Sequence, residues 1–295
     1  MLAALCTGCA LGGLTLPAAA QSLPPDPYRT EQGLPPIQNY SPKAWERLTP
    51  FVDTWCLAQD RAGRMTIGSS GGVLLYNGAT WELVETPERT NVRALAQDAT
   101  GRVYVGGEND LGYLAPGATG KMQFVSLLDQ LPASQRTFGL VLTVIPTPAG
   151  VYFGTDDYLF RWHQGRFRAW KAQTTFGLAF WVNQQLYVAQ PDYGLTVLRQ
   201  DKLEVVSQDT VLVKGRVRVI LPAANGEIFI GTRQHGLFTL KDKQLKGIRG
   251  NSHALLTERN SVYRGIALPD GTIALATLQR GVVLVDRHGR LKGMV

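Results

Sequence analysis

Aromatic and basic residues recur at the start of several short apolar runs in the sequence. Aligning those runs places five residues at one equivalent position: Trp55, Arg93, Leu142, Arg218 and Arg264. A guanidinium group forms paired hydrogen bonds to a carboxylate, and an indole ring stacks on a sugar or an aromatic group. The set therefore predicts a binding position for a polar molecule. The alternative is that these side chains end apolar strands and extend their polar groups to solvent.

Charged residues also follow the second apolar run of several segments. They are Glu108, Asp110, Asp156, Asp157, Asp192, Arg233, His235 and Arg280. The middle segments carry the acids and the last two carry the basic residues, so the loops would form a rim of divided charge. Such a rim could orient a polar ligand, whereas ordinary solvated loop charge is the alternative interpretation.

Catalysis and metal binding have weaker support in the sequence. Two carboxylates can hydrolyse a glycosidic bond when about 5–10 Å separates them, but a sequence does not give that distance. The histidines lie in different segments without a metal-ligand spacing: His163, His235, His253 and His288. We find neither a nucleophile motif nor a glycine-rich phosphate loop that opens a helix. We therefore predict no catalytic residue, no metal site and no cofactor.

The segments that carry these residues are copies of one repeat. Turn glycines recur at Gly63, Gly101, Gly150, Gly226 and Gly271, and the long third interval contains one degenerate copy. Six copies of about 40 residues then cover 51–90, 91–139, 140–177, 178–216, 217–260 and 261–295. Each copy offers about four short strands, which is typical of one blade of a β-propeller.

The sequence therefore predicts an all-β fold, a β-propeller of about six four-stranded blades. A large β-sandwich is the alternative architecture, and the same blades could also belong to a seven-bladed ring. In such a meander, the loops between the second and third strands lie at one end of the channel, beside the start of each innermost strand. Both groups of charged residues would meet there, at a place where loops on a rigid frame commonly bind ligands.

The N-terminal region differs in composition from the repeats. Residues 1–20 are apolar, carry no charge and end in Ala18-Ala19-Ala20, which predicts a secretory signal peptide, although the usual basic start is missing. A lipid anchor at Cys9 and a buried N-terminal helix are the alternatives. Residues 21–50 are proline-rich and are expected to be extended, with the capacity to add a ring-closing strand.

Charge and cysteine content limit the classes of partner. The net charge of +7 is spread over the chain without a dense basic run. Together with the predicted export, this distribution argues against nucleic acid as a partner. Cleavage of the signal would leave Cys56 as the one remaining cysteine, so no internal disulfide is expected.

The first copy carries a specific motif, LAQDRAGRMTIGSSGGVLLYNGATW, which ends at Trp81. It resembles the repeat of two-component-regulator propellers through Gln59, Asp60, Gly63, Gly68, Gly72, Tyr76, Gly78 and Trp81. Met65 departs from the pattern of that family, in which tryptophan is common at this place. Residues 33–45, 111–132 and 268–291 are also similar to the sensor propellers of large bacterial receptors.

The resemblance implies a role in signalling. In such receptors the propeller precedes a three-tyrosine β-domain, a membrane helix and a cytoplasmic signalling module. It implies that this chain is the N-terminal portion of a receptor, on the periplasmic or extracellular side of a bacterial inner membrane, without the output module.

The resemblance also implies the partners. These are a small polar ligand or glycan fragment, the remainder of the membrane receptor, and a second copy in a homodimer of the full receptor. Two alternatives stay open. One is a stand-alone secreted binding propeller, and the other is a glycoside hydrolase or lyase built on a propeller frame.

Overall fold

Polar turns between the apolar runs close β-hairpins, and each sheet consists of consecutive hairpins. Gly101 (φ +92°) and Gly271 (φ +80°) have left-handed backbone conformations, which glycine adopts without steric cost. Asp98 fastens its turn because its carboxylate accepts the N–H groups of Thr100 (2.9 Å) and Arg102 (3.0 Å). Each hairpin is thus specified by a few residues that are close in sequence.

The computed structural model describes residues 40–49, 53–60, 63–257 and 261–295, except for the side chain of Pro42. The predicted signal peptide and residues 21–39 lie outside this part. Residues 42–295 form one compact unit. Of the preceding unit only Tyr40 and Ser41 are described.

The described strands form six four-stranded antiparallel sheets, in which neighbours in sequence are neighbours in space. Sheet 1 contains β1 (Thr54–Gln59), β2 (Met65–Ser69), β3 (Gly72–Tyr76) and β4 (Trp81–Glu85). Sheet 2 contains β5 (Ala94–Gln97), β6 (Val103–Gly106), β7 (Leu111–Pro116) and β8 (Met122–Ser126). Sheet 3 contains β9 (Thr143–Thr147), β10 (Gly150–Gly154), β11 (Tyr158–His163) and β12 (Arg166–Lys171).

The second half of the chain continues the same pattern. Sheet 4 contains β13 (Ala179–Val182), β14 (Gln185–Gln190), β15 (Gly194–Arg199) and β16 (Lys202–Ser207). Sheet 5 contains β17 (Val217–Pro222), β18 (Ile228–Thr232), β19 (Leu237–Lys241) and β20 (Gln244–Ile248). Sheet 6 contains β21 (Val262–Ala267), β22 (Ile273–Thr277), β23 (Val282–Val285) and β24 (Leu291–Met294). The prediction of a β-propeller with six four-stranded blades is confirmed.

Short helices occupy the connections. The α-helices are α1 (Thr210–Lys214) and α2 (His253–Thr257), and the 3-10 turns are Pro42–Ala44, Pro87–Arg89, Leu128–Gln130, Ala133–Gln135 and Ala224–Gly226. Asp209 caps α1, because its carboxylate accepts the N–H of Val211 at 2.9 Å. None of the helices in the described ranges is long and apolar enough to cross a membrane.

Five clusters of buried apolar side chains hold neighbouring sheets together, from sheet 1 with sheet 2 through to sheet 5 with sheet 6. Phe153 is fully buried in the cluster between sheets 2 and 3, with its ring centroid 6.4 Å from that of Tyr104. Every residue of β18 is buried, as expected of a strand that has a sheet on each side. The core of the molecule is therefore a series of sheet-to-sheet interfaces.

The faces that sheets 1 and 6 turn away from their packed neighbours are less covered. Leu57 in β1 is 74% exposed and Ile266 in β21 is 60% exposed. Cys56 Sγ lies 3.8 Å from the carbonyl oxygen of Val92, which precedes β5 of sheet 2, so the next residue, Leu57, points away from sheet 2. Among the described residues, no buried cluster joins sheet 6 to sheet 1. We call this pair of apolar faces the open seam.

Residues 42–49 pack on sheet 1. Trp45 is buried, and its ring centroid lies 4.8 Å from that of Trp81 on β4. All four strands of sheet 6 come from the C-terminal residues Val262–Met294. The expectation that residues 21–50 supply a ring-closing strand rests mostly on residues outside the described part, and it stays a prediction.

Candidate functional site

The innermost strands begin at one end of the ring, which we call the channel mouth. The residues that precede these strands are structurally equivalent. Each donates its backbone N–H to the carbonyl at the same position of the second strand. The bonds are Arg93 to Gly106 (3.0 Å), Leu142 to Gly154 (2.8 Å) and Gly177 to Ala189 (2.7 Å). The loops between second and third strands lie at the same end, since the second strand runs antiparallel to the first.

Three sheets carry a β-bulge at this position. The strand register shifts between Thr54 and Cys56, between Val217 and Val219, and between Val262 and Arg264. The bulged residues are Trp55, Arg218 and Tyr263. The sequence alignment is therefore wrong by one residue in the last copy, where Tyr263 takes the place assigned to Arg264. Trp55, Arg93, Leu142 and Arg218 each lie eight residues before the turn glycine of their copy, and so does Tyr263. Arg264 lies seven residues before Gly271, so it matches the other copies in residue type and not in spacing.

Two arginine–aromatic pairs form between neighbouring sheets at this ring of positions. The guanidinium carbon of Arg93 lies 3.7 Å from the ring centroid of Trp55. That of Arg218 lies 5.9 Å from the ring centroid of Tyr263. Trp55 is oriented by a hydrogen bond from its Nε1 to Ser70 Oγ at 3.2 Å. The mouth thus presents positive charge beside flat aromatic surfaces, a combination that suits ring-containing polar ligands.

A cavity of about 390 Å³ opens at the mouth between sheets 3, 4 and 5. Apolar groups line part of it, among them Leu142 and Phe176. Its charged residues are Asp156, Asp192, Arg216 and Arg218. Acidic and basic groups therefore share one cavity, with the acids contributed by sheets 3 and 4 and the arginines by the start of sheet 5.

Four arginines concentrate positive charge at the mouth; we call Arg216, Arg218, Arg233 and Arg264 the mouth arginines. Burial lowers the pKa of Arg218, and the charges of Arg233, Arg264 and Arg216 lower it further. Burial also lowers the pKa of Arg264, although much of its side chain is open to the channel. Among the described residues, no mouth arginine forms an ion pair with a carboxylate.

Some polar atoms of these side chains lack partners. The Nε atoms of Arg218 and Arg233 are buried and have no hydrogen-bond partner in the described part of the chain. Arg264 extends from sheet 6 to sheet 3, where its Nη2 donates to the carbonyl oxygen of Leu142 at 3.3 Å. Leu142 also lines the cavity, so the guanidinium of Arg264 lies next to a lining residue.

Asp156 and Asp192 form the acidic side of the cavity, which we call the acidic wall. Burial raises the pKa of Asp156, and the neighbouring charge of Asp157 raises it further. Asp192 is exposed in a left-handed turn (φ +62°) and donates its N–H to the carbonyl of Val213 at 3.0 Å. A ligand in the cavity would therefore meet hydrogen-bond acceptors on one side and guanidinium donors on the other.

The remaining sequence-predicted residues lie elsewhere. Asp110 is buried and accepts hydrogen bonds from Leu111 N (2.8 Å) and Ser126 Oγ (2.6 Å). Burial raises the pKa of its carboxyl, and its contacts tie β7 to β8. Asp157, His235 and Arg280 are exposed on loops and do not line the cavity.

Sequence reasoning missed Arg216 and Tyr263. Arg216 has a left-handed backbone (φ +47°), which the local pattern gives no reason to expect. The conformation of the loops between second and third strands could have been predicted from the threonine that ends the second strand in several copies. Thr232 Oγ1 and Thr277 Oγ1 accept the N–H groups of His235 (3.0 Å) and Arg280 (3.1 Å), and so fix the loop conformation.

A wider groove of about 590 Å³ lies between sheets 4 and 5 at the opposite end of the ring. Turn residues such as Asn183, Asn225 and Asp242 line it. Arg199 in this groove lies 3.6 Å from Glu204, so its charge already has an internal partner. Among the described residues, no group of three or more His, Cys, Asp or Glu side chains could hold a metal ion. The channel mouth is the stronger candidate site.

Comparisons with known proteins agree with the fold. No known family model matches the chain. No curated protein matches it either. The solved WD40 β-propeller domain of Doa1 is similar, with a TM-score of 0.60 at 16% identity over 81% of this chain and 80% of that one.

Two further solved structures come from bacteria. Virginiamycin B lyase from Staphylococcus aureus has a TM-score of 0.59 at 10% identity, over 79% of this chain and 84% of the lyase. The extracellular domain of a hybrid two-component system from B. thetaiotaomicron has a TM-score of 0.52 at 16% identity, over 80% of this chain. This chain spans 38% of that extracellular domain. Because a WD40 domain, a lyase and the extracellular domain of a two-component system share the fold, the similarity identifies a β-propeller and no single activity.

Proposed function

We propose that this chain is an extracytoplasmic ligand-binding propeller that serves as the sensor part of a bacterial signalling receptor. The observation that carries the proposal is the charged cavity at the channel mouth. There, two aspartates and two arginines, Arg216 and Arg218, surround space for a small molecule, and neither arginine has an ion-pair partner within the described ranges. A rigid ring that presents side chains from several sheets to one cavity is suited to recognition. The two-component-regulator motif of the first copy supports the signalling context.

The open seam is a second feature that bears on the proposal. Leu57 and Ile266 expose most of their apolar side chains there, and exposed apolar patches commonly mark interaction surfaces. In a receptor, the remainder of the protein would cover this surface. A stand-alone secreted propeller would instead bury it against a second copy or under the ring-closing strand that is predicted from residues 21–50.

Ligand binding can be tested on the purified chain. We expect at least one class of compound, from a panel of saccharides, organic acids and amino acids, to raise the melting temperature. The same compound should fail to do so with Arg218→Gln. A panel without any hit, or hits that are insensitive to substitutions at the mouth, would refute the assignment of the site.

The signalling context needs two separate tests. A C-terminal alkaline phosphatase fusion is active only after export, so activity in a bacterial host supports the extracytoplasmic location and inactivity contradicts it. Sequencing of the native transcript past the Val295 codon then separates the two binding functions. Continuous coding into a membrane-spanning helix supports the receptor, and a stop codon supports the stand-alone module. Turnover of a bound saccharide that is lost in Asp156→Asn would instead support the hydrolase or lyase alternative.

A further inference from the structure

The charge at the channel mouth is unbalanced inside the described protein. The mouth arginines lie close enough for three of them to lower the pKa of Arg218. Like charges in a partly buried site repel one another more strongly than in water. Such a cluster is expected to attract an anion, because a bound negative charge would relieve the repulsion.

The alternative, that these arginines only extend to solvent, does not account for their buried atoms. A solvated guanidinium keeps its donors in water, yet the Nε atoms of Arg218 and Arg233 are buried without a partner among the described residues. An unpaired buried donor costs free energy, and native structures rarely leave one without a reason. Arg218 lines the cavity, so an anion bound there would supply a counter-charge to its guanidinium.

The surroundings indicate what carries the anionic group. The ring of Tyr263 in sheet 6 lies 5.9 Å from the guanidinium carbon of Arg218. At the equivalent position of sheet 1, the ring of Trp55 lies 3.7 Å from that of Arg93. Exposed fractions of 39% for Tyr263 and 37% for Trp55 leave ring surface available for contact. Flat, partly exposed rings beside guanidinium groups suit a cyclic molecule that bears a carboxylate or a sulfate.

We propose that the channel mouth binds the anionic group, a carboxylate or a sulfate, of a small cyclic ligand between Arg218 and Arg264. Arg218 binds it through its guanidinium donors, and Arg264 is positioned by its hydrogen bond to the carbonyl of Leu142. The acidic wall at Asp156 and Asp192 accepts hydrogen bonds from hydroxyl groups at the other end of the ligand. This inference rests on the proposed ligand-binding function and names the chemistry that the site recognises.

Matched probes separate charge from shape. Calorimetric titration of the full chain would use trigalacturonate against its fully methyl-esterified form, and N-acetylglucosamine 6-sulfate against N-acetylglucosamine. We expect one anionic member to bind at least tenfold more tightly than its neutral partner. Trigalacturonate as the tighter binder identifies a carboxylate, and the sulfated sugar identifies a sulfate. Equal affinities within both pairs, or no binding by any of the four, would overturn the inference.

Variants connect that preference to the two arginines. Arg218→Gln and Arg264→Gln should each weaken the anionic probe at least tenfold, whereas Arg166→Gln, which removes an exposed arginine from β12, should leave its affinity unchanged. Arg218→Lys keeps the charge, guards against a folding defect and should bind with intermediate affinity. If the anionic probe binds all four variants equally, the inference is wrong.

The failure of this inference and the failure of the proposed function can be told apart. A neutral or cationic compound whose binding is sensitive to Phe176→Ala would show that the mouth binds ligands but does not select anions. If no compound of any charge binds, both the anion inference and the proposed ligand-binding function are wrong.

Discussion

Two of the arginine–aromatic clusters in the molecule differ in whether a carboxylate pairs with the arginine. At the outer edge, Arg161 and Arg168 lie over the ring of Trp170, at 5.5 and 5.3 Å from its centroid, and both pair with the carboxylate of Asp201. At the mouth, Arg218 lies over Tyr263, and no carboxylate of the described residues pairs with it. The same combination of cation and ring is completed by an internal acid in one place and left open in the other.

The outer cluster contains an acid, Asp201, that has no counterpart among the described residues around Arg218. Asp201 also accepts a hydrogen bond from Trp170 Nε1 at its carbonyl oxygen, at 2.8 Å, so the turn of sheet 4 is fastened to sheet 3. The acid there joins two sheets and contributes to stability. At the mouth, a bound anion would take the place that Asp201 has at the outer edge. Binding residues and stabilising residues can thus have the same identity and differ only in whether the protein supplies the counter-charge.

Reversal of charge at the open cluster should have the largest effect. Arg218→Glu places a carboxylate where we expect the anionic group of the ligand, and it should weaken that ligand by roughly 100-fold, or about 2–3 kcal/mol. Calorimetric titration with the tighter anionic probe measures this loss. Unchanged affinity in a folded variant would mean that the two clusters do not differ as we describe.

Removal of the internal acid should give the opposite pattern. Asp201→Asn keeps a residue that tolerates the left-handed backbone at this position (φ +61°) but leaves Arg161 and Arg168 without their shared partner. We expect a loss of about 1 kcal/mol in unfolding free energy, since each exposed ion pair contributes about 0.2–1 kcal/mol. Urea unfolding measures the loss, with exposed Glu46→Gln as the control. Altered affinity for the anionic probe would contradict the separation of roles.

The acidic wall should oppose the anion modestly. Asp156→Asn removes a negative charge from the cavity and should tighten the sulfated probe about threefold, an effect of under about 1 kcal/mol for a partly solvated charge. Because the pKa of Asp156 is raised, its carboxylate loses its negative charge at a higher pH than an ordinary aspartate does, so affinity should rise as the pH decreases through that range.

Sulfate stays ionised there, so the probe itself does not change. The pH-dependent rise should be absent in Asp156→Asn and reduced in Asp157→Asn, whose side chain does not line the cavity. An affinity that is the same at all pH values in the wild-type protein would contradict this role of Asp156.

The smallest effect concerns Cys56, which lies near the charges of Arg264 and Arg93. Both charges lower its pKa, but burial prevails and raises the pKa to about 12. The thiol should therefore react with a disulfide reagent at pH 8 only after unfolding, measured in a Cys6→Ser/Cys9→Ser variant. The unfolded thiol ionises near pH 9, so stability should fall as pH rises from there toward 12. Rapid labelling of the native protein would indicate an accessible thiolate at the mouth.

The sequence predicts the architecture well because the signals for hairpins are local. Turn residues such as Asp98 and Gly101 lie within a few positions of one another, and each of the six sheets falls inside one predicted repeat copy. The general location of the site follows from the same regularity, since equivalent strands must begin at the same end of the ring.

Some details of the site depend on events that a repeat pattern does not record. The left-handed backbone at Arg216 brought an unexpected charge to the cavity. The assignment of Arg264 was instead an error that the sequence could correct, because the spacing to the turn glycine Gly271 indicates Tyr263. Asp110 looked like a loop acid, but tertiary packing buried it against Ser126. The open seam is also a property of packing. Leu57 and Ile266 are apolar like many buried strand residues, so the sequence does not show that their side chains are exposed.

The most direct test of the account is anomalous diffraction from crystals of the chain soaked in sodium selenate, which has the shape and charge of sulfate. The account predicts a selenium peak about 4 Å from the guanidinium carbon of Arg218, the distance that charge-assisted hydrogen bonds would set. The peak should be absent in Arg218→Gln. Selenate bound only at exposed arginines such as Arg166, or nowhere, would contradict the claim that the channel mouth is an anion site.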